Sequence, residues 1–303
     1  MTTAPATRLA VVDGHRIEYR RHEGGPRTAV VLHGGHMSAA CRFGEEPYAE
    51  AGRSVLVPSR PGYGRTDVGT GPSAPEFAVR LARLLRQPGL LRPPVSVTGI
   101  SLGARAALTL AAFFPDLVDR VVLISPVSFA RWPGRHTRIL ARAVFNPATQ
   151  GLTWGAVHRL LHRDPDRNLP RLITSLSTLP GPEAVRRLGP DAAAAVEFLL
   201  SCRSGRGFTV DLSAATDVCA DVGQPVLILA TRRDAAVSFD HPERLAAALP
   251  DARLVELDAP SHLLWLGDAA RTTRDQICAF LREPGAARGQ APGTTQTAAS
   301  PGN

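Results

Sequence analysis

The sequence predicts an α/β protein: a mostly parallel sheet covered by helices on both faces, with a helical cap inserted partway along the chain. Three observations predict it. Short apolar, β-branched runs alternate with helical stretches along most of the chain. One segment, residues 127–212, interrupts that alternation. Four of the apolar runs end in loops that carry glycine, serine, histidine or aspartate.

Taken in order, the runs 9–12 and 16–20 form a leading hairpin, because Asp13-Gly14 between them suits the positive φ angles of a two-residue turn. Strands are expected next at 29–32, 54–57, 95–98 and 121–124, then after a long gap at 226–230 and 254–257. Alternation of such buried runs with helices means a parallel sheet with both faces covered. The helices fall between them, at 75–86, 102–114, 242–248 and 271–281. Residues 127–212 are rich in Arg, Pro and Leu, hold no convincing strand, and read as a helical cap following a sheet strand. The chain therefore divides into a core at 1–126, the cap at 127–212, a second part of the core at 213–282 and a disordered tail at 283–303, where apolar residues give way to Gly, Pro, Thr and Ala.

The bulk numbers narrow the function classes. A chain of 303 residues with 44% hydrophobic and 20% charged residues has the composition of an ordinary globular protein. No apolar run approaches the ~18 residues needed to cross a bilayer. The opening MTTAPATRLAVVDG lacks the basic start and apolar core of a secretion signal. A cytoplasmic enzyme without membrane association is the expectation. Cys41, Cys202, Cys219 and Cys278 lie far apart, with no CxxC pair and no histidine at metal-ligand spacing. They read as free thiols, and neither a metal nor an organic cofactor is expected. The net charge of +8 raises the question of nucleic acid, but there is no lysine anywhere, which looks like GC-rich codon usage. Nor is there a basic run or a nucleic-acid module, so no nucleic-acid partner is expected. The charge is uneven, with twelve arginines against six acidic residues in 127–212.

Strands in an open parallel sheet deliver functional groups at their C-terminal ends. The stretch VTGISLG places Ser101 between Gly99 and Gly103 at a sharp strand-to-helix turn, matching the G-x-S-x-G nucleophile elbow. A serine hydroxyl needs a base, and His262 in LDAPSHLLWLGD follows the last expected strand. The base needs a carboxylate to orient it, and PVLILATRRDAAVS ends an apolar strand and then presents Asp234. Asp258, four residues before His262, is the rival acid. The fourth element, VVLHGGHMS, supplies glycines whose backbone could hold an oxyanion: the N–H of Gly35 with that of Leu102, or His36 as donor instead. His33 is expected to hold that loop by hydrogen bonding. Trp132 and Trp154 in the cap are candidate substrate contacts with His36; core packing is their competing role, as it is for Phe129, Phe145, Phe198 and Trp265.

With these residues in place, the chain resembles the α/β-hydrolases, in particular the capped branch of esterases, lactonases, epoxide hydrolases and carbon–carbon bond hydrolases. The resemblance rests on LHGG (32–35), SRPGYGRT (59–66), GISLG (99–103), RRD (232–234) and SH (261–262), and covers about residues 8–282. It implies an eight-stranded, mostly parallel sheet and a Ser–His–Asp triad. It also implies a loop beside the site from RPGYGRT, in which Arg60 and Tyr63 order the loop first and touch substrate second. Ser101 stands where an epoxide hydrolase would need aspartate, and Ser261 where relatives carry glycine. The leading expectation is a serine hydrolase cleaving an ester, lactone or thioester of a small molecule through an acyl-enzyme on Ser101. A second enzymatic reading is an acyltransferase or thioesterase whose arginine-rich cap steers an acyl-carrier partner. A third is a non-catalytic receptor or scaffold that keeps the fold.

Overall fold

The computed structural model describes residues 5–69, 73–91, 93–213 and 215–284. The tail expected at 283–303 lies outside them from residue 285 onward. Eight strands form one sheet among the described residues: β1 (Arg8–Val12), β2 (His15–His22), β3 (Arg27–Leu32), β4 (Arg53–Pro58), β5 (Val95–Ile100), β6 (Val118–Ile124), β7 (Val226–Ala230) and β8 (Ala252–Glu256). Their order across the sheet is β1-β2-β4-β3-β5-β6-β7-β8. The β1–β2 and β2–β4 pairs are antiparallel; every later pair is parallel. Val12 pairs with His15 across the hairpin, and both turn residues take positive φ, 52° at Asp13 and 78° at Gly14. The last strand starts and ends earlier than its apolar residues suggest: Leu257 lies past its end, although its N–H still bonds Ala230 O at 2.8 Å.

Core helices cover both faces. One face holds α2 (Ala74–Leu85), α3 (Gly103–Phe113) and α10 (Asp240–Ala248); the other holds α1 (Glu46–Glu50) and α11 (Ala270–Arg282). The short α1 went unrecognised because five residues are too few for a periodic pattern to show. The start of α2 is legible locally: Ser73 and Glu76 form a reciprocal capping box, with Ala74 and Pro75 opening the first turn. At the closed end of the sheet two buried guanidinium groups hold the last carbonyls of α11, Arg53 on Leu281 O at 3.0 Å and Arg120 on Phe280 O at 2.5 Å.

Between β6 and β7 run α4 (Arg135–Val144), α5 (Gln150–Arg163), α6 (Pro165–Leu172), α7 (Gly181–Leu188), α8 (Ala192–Ser201) and α9 (Gly207–Asp211). Their apolar faces share a small core of their own, including Leu161, Leu169, Ile173, Leu188 and Leu199, which also takes in Leu263 and Leu266 from the loop after β8. This insertion meets the C-terminal ends of the strands. Arg203 N–H bonds His36 O at 2.8 Å, Thr178 N–H bonds Arg233 O at 2.8 Å, and Ser177 Oγ donates to Pro260 O at 2.5 Å. Arg105 of α3 ties its two ends together, donating to Ser128 O and Ala130 O at 2.8 Å each and to Asp211 O at 3.5 Å.

Candidate active site

Strand β5 is buried along its whole length and stops at Ser101, whose φ of 51° lies in the left-handed region that disfavours any residue with a Cβ. The turn persists because its neighbours over-determine it. Ser101 N–H bonds Ile124 O at 2.9 Å, and Ser101 O accepts from Ala104 and Val127 N–H at 3.1 Å each. Both flanking glycines are required by close approach. A Cβ on Gly99 would sit 2.5 Å from Ala104 Cα, and one on Gly103 would sit 2.1 Å from Leu32 O. The second contact is with the neighbouring strand β3, not with the strand that carries the serine. Ser101 is left 7% exposed at the head of α3, where the helix N-terminus places partial positive charge.

Asp234 follows β7 and is held by its own loop. Its Oδ1 accepts the N–H groups of Ala236 and Val237, both at 2.8 Å. Its Oδ2 is 2.5 Å from His262 Nδ1. A carboxylate only accepts, so Nδ1 carries the proton and the neutral ring leaves Nε2 as its basic nitrogen. The His262 backbone is fixed on both sides: its N–H bonds Leu176 O at 2.8 Å, and its carbonyl accepts from Ser125 Oγ at 2.9 Å. Asp258 is elsewhere. Its side chain is 75% exposed and pairs with Arg187 and Arg233 on the surface.

The loop after β3 leans on the serine, since a Cβ on Gly34 would lie 3.1 Å from Ser101 Cβ. His33 orders this loop as its position suggests: Nδ1 donates to Gly34 O at 2.8 Å and Nε2 accepts Arg60 N–H at 2.9 Å. Complete burial holds its pKa well below the usual imidazole range, followed by the effect of the nearby Arg60 charge. Among the described residues, no protein acceptor engages the N–H of Gly35 or of Leu102. These donors remain available, as an oxyanion hole requires.

His36 takes φ of 62° and turns its ring into an aromatic cluster, 4.0 Å from Phe208, 4.5 Å from Phe145 and 5.3 Å from Trp154 between centroids. Its Nδ1 is 2.8 Å from Ser204 Oγ, which also accepts Trp154 Nε1–H at 2.8 Å. A hydroxyl has two acceptor sites and one hydrogen, so Ser204 serves Trp154 and can pair with either tautomer of His36. Burial pushes the His36 pKa down to about 3, so the ring stays neutral. Trp132 packs on the same apolar cluster as Phe145 and Phe208, with its indole N–H on Ala236 O at 2.9 Å. It anchors the Asp234 loop, and its polar edge is used up in doing so. Phe208 and Ser204 escaped the sequence reading because α9 is short and serine beside glycine and arginine looks like a loop. Phe198 and Trp265 line a separate cavity of about 700 Å³ between α8 and α11, with Ile124, Leu266 and Ile277; none of Ser101, Asp234 and His262 lines it.

A sheet of this order, an insertion between β6 and β7, a serine turn at the end of β5 and a histidine–aspartate pair in the loops after β7 and β8 define a class of protein. Residues 30–268 match the family model described as alpha/beta hydrolase fold, and the chain belongs to that family. It is 30% identical over 276 residues to the uncharacterised hydrolase YcgS of Bacillus subtilis, covering 89% of this chain and 96% of that protein. It is 32% identical over 267 residues to the pimeloyl-[acyl-carrier protein] methyl ester esterase of Aromatoleum aromaticum, covering 84% and 96%. Among solved structures, an alpha/beta hydrolase fold protein from Nakamurella multipartita superposes with a TM-score of 0.73 at 22% identity, covering 91% of this chain and 99% of that one. No helix among the described residues is long and apolar enough to cross a membrane.

Proposed function

We propose that the protein is a serine hydrolase that cleaves an ester, lactone or thioester of a small substrate through an acyl-enzyme on Ser101. The observation that carries this reading is the 2.5 Å contact of Asp234 Oδ2 with His262 Nδ1, in a sheet whose strand β5 ends in a serine held at positive φ. His262 Nε2 takes the Ser101 proton as Oγ attacks the substrate carbonyl. The N–H groups of Gly35 and Leu102 receive the developing oxyanion. Asp234 stays ionised and keeps the imidazole in its tautomer. His262 returns the proton to the leaving group, and water releases the acyl group in a second round. The relative that cleaves a methyl ester supports an ester-type substrate. His36 and Trp154 border the acyl side, and residues 127–212 act as a cap that selects what reaches Ser101.

A specific observation favours one narrower reading, a carrier-bound acyl substrate. Ile139 and Leu140 on α4 are 61% and 64% exposed, and Leu152 on α5 is 79% exposed. Arg138, Arg142 and Arg159 lie on the same two helices. Exposed apolar side chains on helices that also carry arginines suit an acidic carrier protein.

The test is labelling of the full chain by a fluorophosphonate probe, with Ser101→Ala beside it. Labelling of the wild type alone supports the hydrolase. Equal labelling of both refutes the assignment of Ser101 and moves the reactive group to another residue, whereas labelling of neither favours the receptor reading.

A further inference from the structure

The group that holds the oxyanion loop comes from outside it. Arg60 is 4% exposed, in the RPGYG turn after β4. Its Nε donates to His33 O at 2.7 Å and its Nη2 to Gly34 O at 3.1 Å. Its other donors form a two-pronged pair with Asp211 at the C-terminal end of α9, at 2.5 and 2.7 Å. Gly34 O also receives the His33 Nδ1 bond at 2.8 Å, so that one carbonyl is held by a guanidinium and an imidazole together.

A peptide unit is planar and trans, so its C=O and the N–H that follows point in opposite directions. Two donors on Gly34 O therefore fix the Gly35 N–H on the opposite side of that peptide, in a loop so close to the serine turn that a Cβ on Gly34 would lie 3.1 Å from Ser101 Cβ. A cation on that oxygen also draws electron density through the amide, making its N–H a stronger donor. Asp211 is itself fixed. Tyr63 Oη donates to it at 2.5 Å, Arg105 reaches its carbonyl, and Gly207 packs so closely that a Cβ there would lie 2.2 Å from the Tyr63 ring.

We propose that Arg60 is a positioning residue that aims and polarises the Gly35 N–H as an oxyanion donor, and that Asp211 makes this alignment depend on the insertion being seated. The inference rests on the serine-hydrolase reading above. It adds a coupling: an insertion displaced at its α9 end releases Asp211, frees Arg60 and slackens the oxyanion loop. Turnover is then tied to closure, and the poised donor is assembled only when the insertion lies over the site.

The rival explanation is a buried ion pair that only stabilises the fold. Steady-state hydrolysis of p-nitrophenyl butyrate by the full chain separates the two, with melting temperature measured on the same samples. Arg60→Met should lower kcat by ~10- to 100-fold, below the full cost of deleting an oxyanion donor, with KM changed by less than about threefold. Arg60→Lys should recover only part of kcat, since an ammonium cannot reach two carbonyls and a carboxylate at once. The deciding variant is Arg60→Met with Asp211→Leu, which removes both charges and leaves no lone buried carboxylate. Its melting temperature should return toward wild type while kcat stays low. Recovery of kcat together with melting temperature would overturn the proposal, as would wild-type kcat in Arg60→Met. A wild type no more active than Ser101→Ala would refute the hydrolase reading and take this proposal with it.

Discussion

Replacing Asp234 by asparagine probes the proposed site most sharply, because the surrounding backbone dictates how the new amide sits. Asp234 Oδ1 accepts two N–H groups, from Ala236 and Val237, and Oδ2 faces His262 Nδ1. Asparagine has one oxygen and one NH₂. The oxygen must stay on the two backbone donors, which leaves the NH₂ facing Nδ1 and forces Nδ1 to accept. The imidazole proton then moves to Nε2, the position from which the base must act. The productive flip would set the NH₂ against two buried N–H donors, at about 1–3 kcal/mol each. That handicap of about 2–6 kcal/mol limits the productive form to a few per cent at most and about one in ten thousand or fewer at the far end. The loss in kcat should thus be ~30-fold at the least and can approach the ~10⁴-fold seen where this change misplaces the tautomer in serine proteases. The assay is kcat on an activated ester for Asp234→Asn, with Asp258→Asn as the comparison. Asp258 faces solvent and surface arginines, and its substitution should cost less than about twofold, in keeping with the small effect of exposed ion pairs. A variant Asp234→Asn that keeps a third of wild-type kcat would refute the hydrogen-bond argument, and a reversed ranking would transfer the acid role to Asp258.

Other expectations follow from single contacts. Gly103→Ala would press a methyl group into backbone at Leu32 O, and should cost at least the 1–3 kcal/mol of ordinary overpacking, read as a lowered denaturation midpoint; unchanged stability would show that the elbow can shift at no cost. His33 stays neutral in the fold while the unfolded chain takes up a proton below about pH 6.5, so stability should fall as pH drops from there, by at most about 1.4 kcal/mol per pH unit for this group. His36 adds to the same trend until its own value near 3 is reached. Urea melts at pH 7 and pH 5 for wild type and His33→Gln measure this, and an equally steep loss in both would exclude His33 as the source. Ile139→Ser with Leu140→Ser should leave a small activated ester unaffected and raise KM for an acyl-carrier-linked ester several-fold; unchanged KM would remove the carrier reading. Neutralising Arg138 and Arg142 should weaken the same carrier substrate and flatten its salt dependence, whereas free-ester kinetics stay constant. The companion position Arg135 has its side chain outside the described residues.

Much of the architecture was legible because its signals are local. Buried parallel strands must be continuous apolar runs, so β3 to β7 stand out, and Asp13-Gly14 announces the β1–β2 hairpin through the φ angles it permits. The strand-turn-helix context of Ser101 is local in the same sense. So is the chain order of Ser101, Asp234 and His262, since each follows a strand end. Strand ends were less certain. Leu257 lies beyond β8 yet is buried in the core between the sheet and α11, so burial does not mark where the strand ends.

What the tertiary structure decided are the matters that depend on groups distant in sequence meeting in space. Sequence position ranked Asp234 above Asp258 only by its place after a strand; the two backbone donors on Oδ1 and the surface arginines on Asp258 give the physical reason. Gly103 is one glycine of a local motif in the sequence, and only the fold shows that it admits Leu32 O of the neighbouring strand. Trp132 and Trp154 looked alike as cap aromatics. One is committed to Ala236 O, and the other shares the Ser204 hydroxyl with His36. The Arg60–Asp211 pair joins residues 151 positions apart. No periodicity records such a contact, because a buried guanidinium is satisfied by whatever acceptors the folded chain brings to it, and those are chosen by packing rather than by neighbours in sequence.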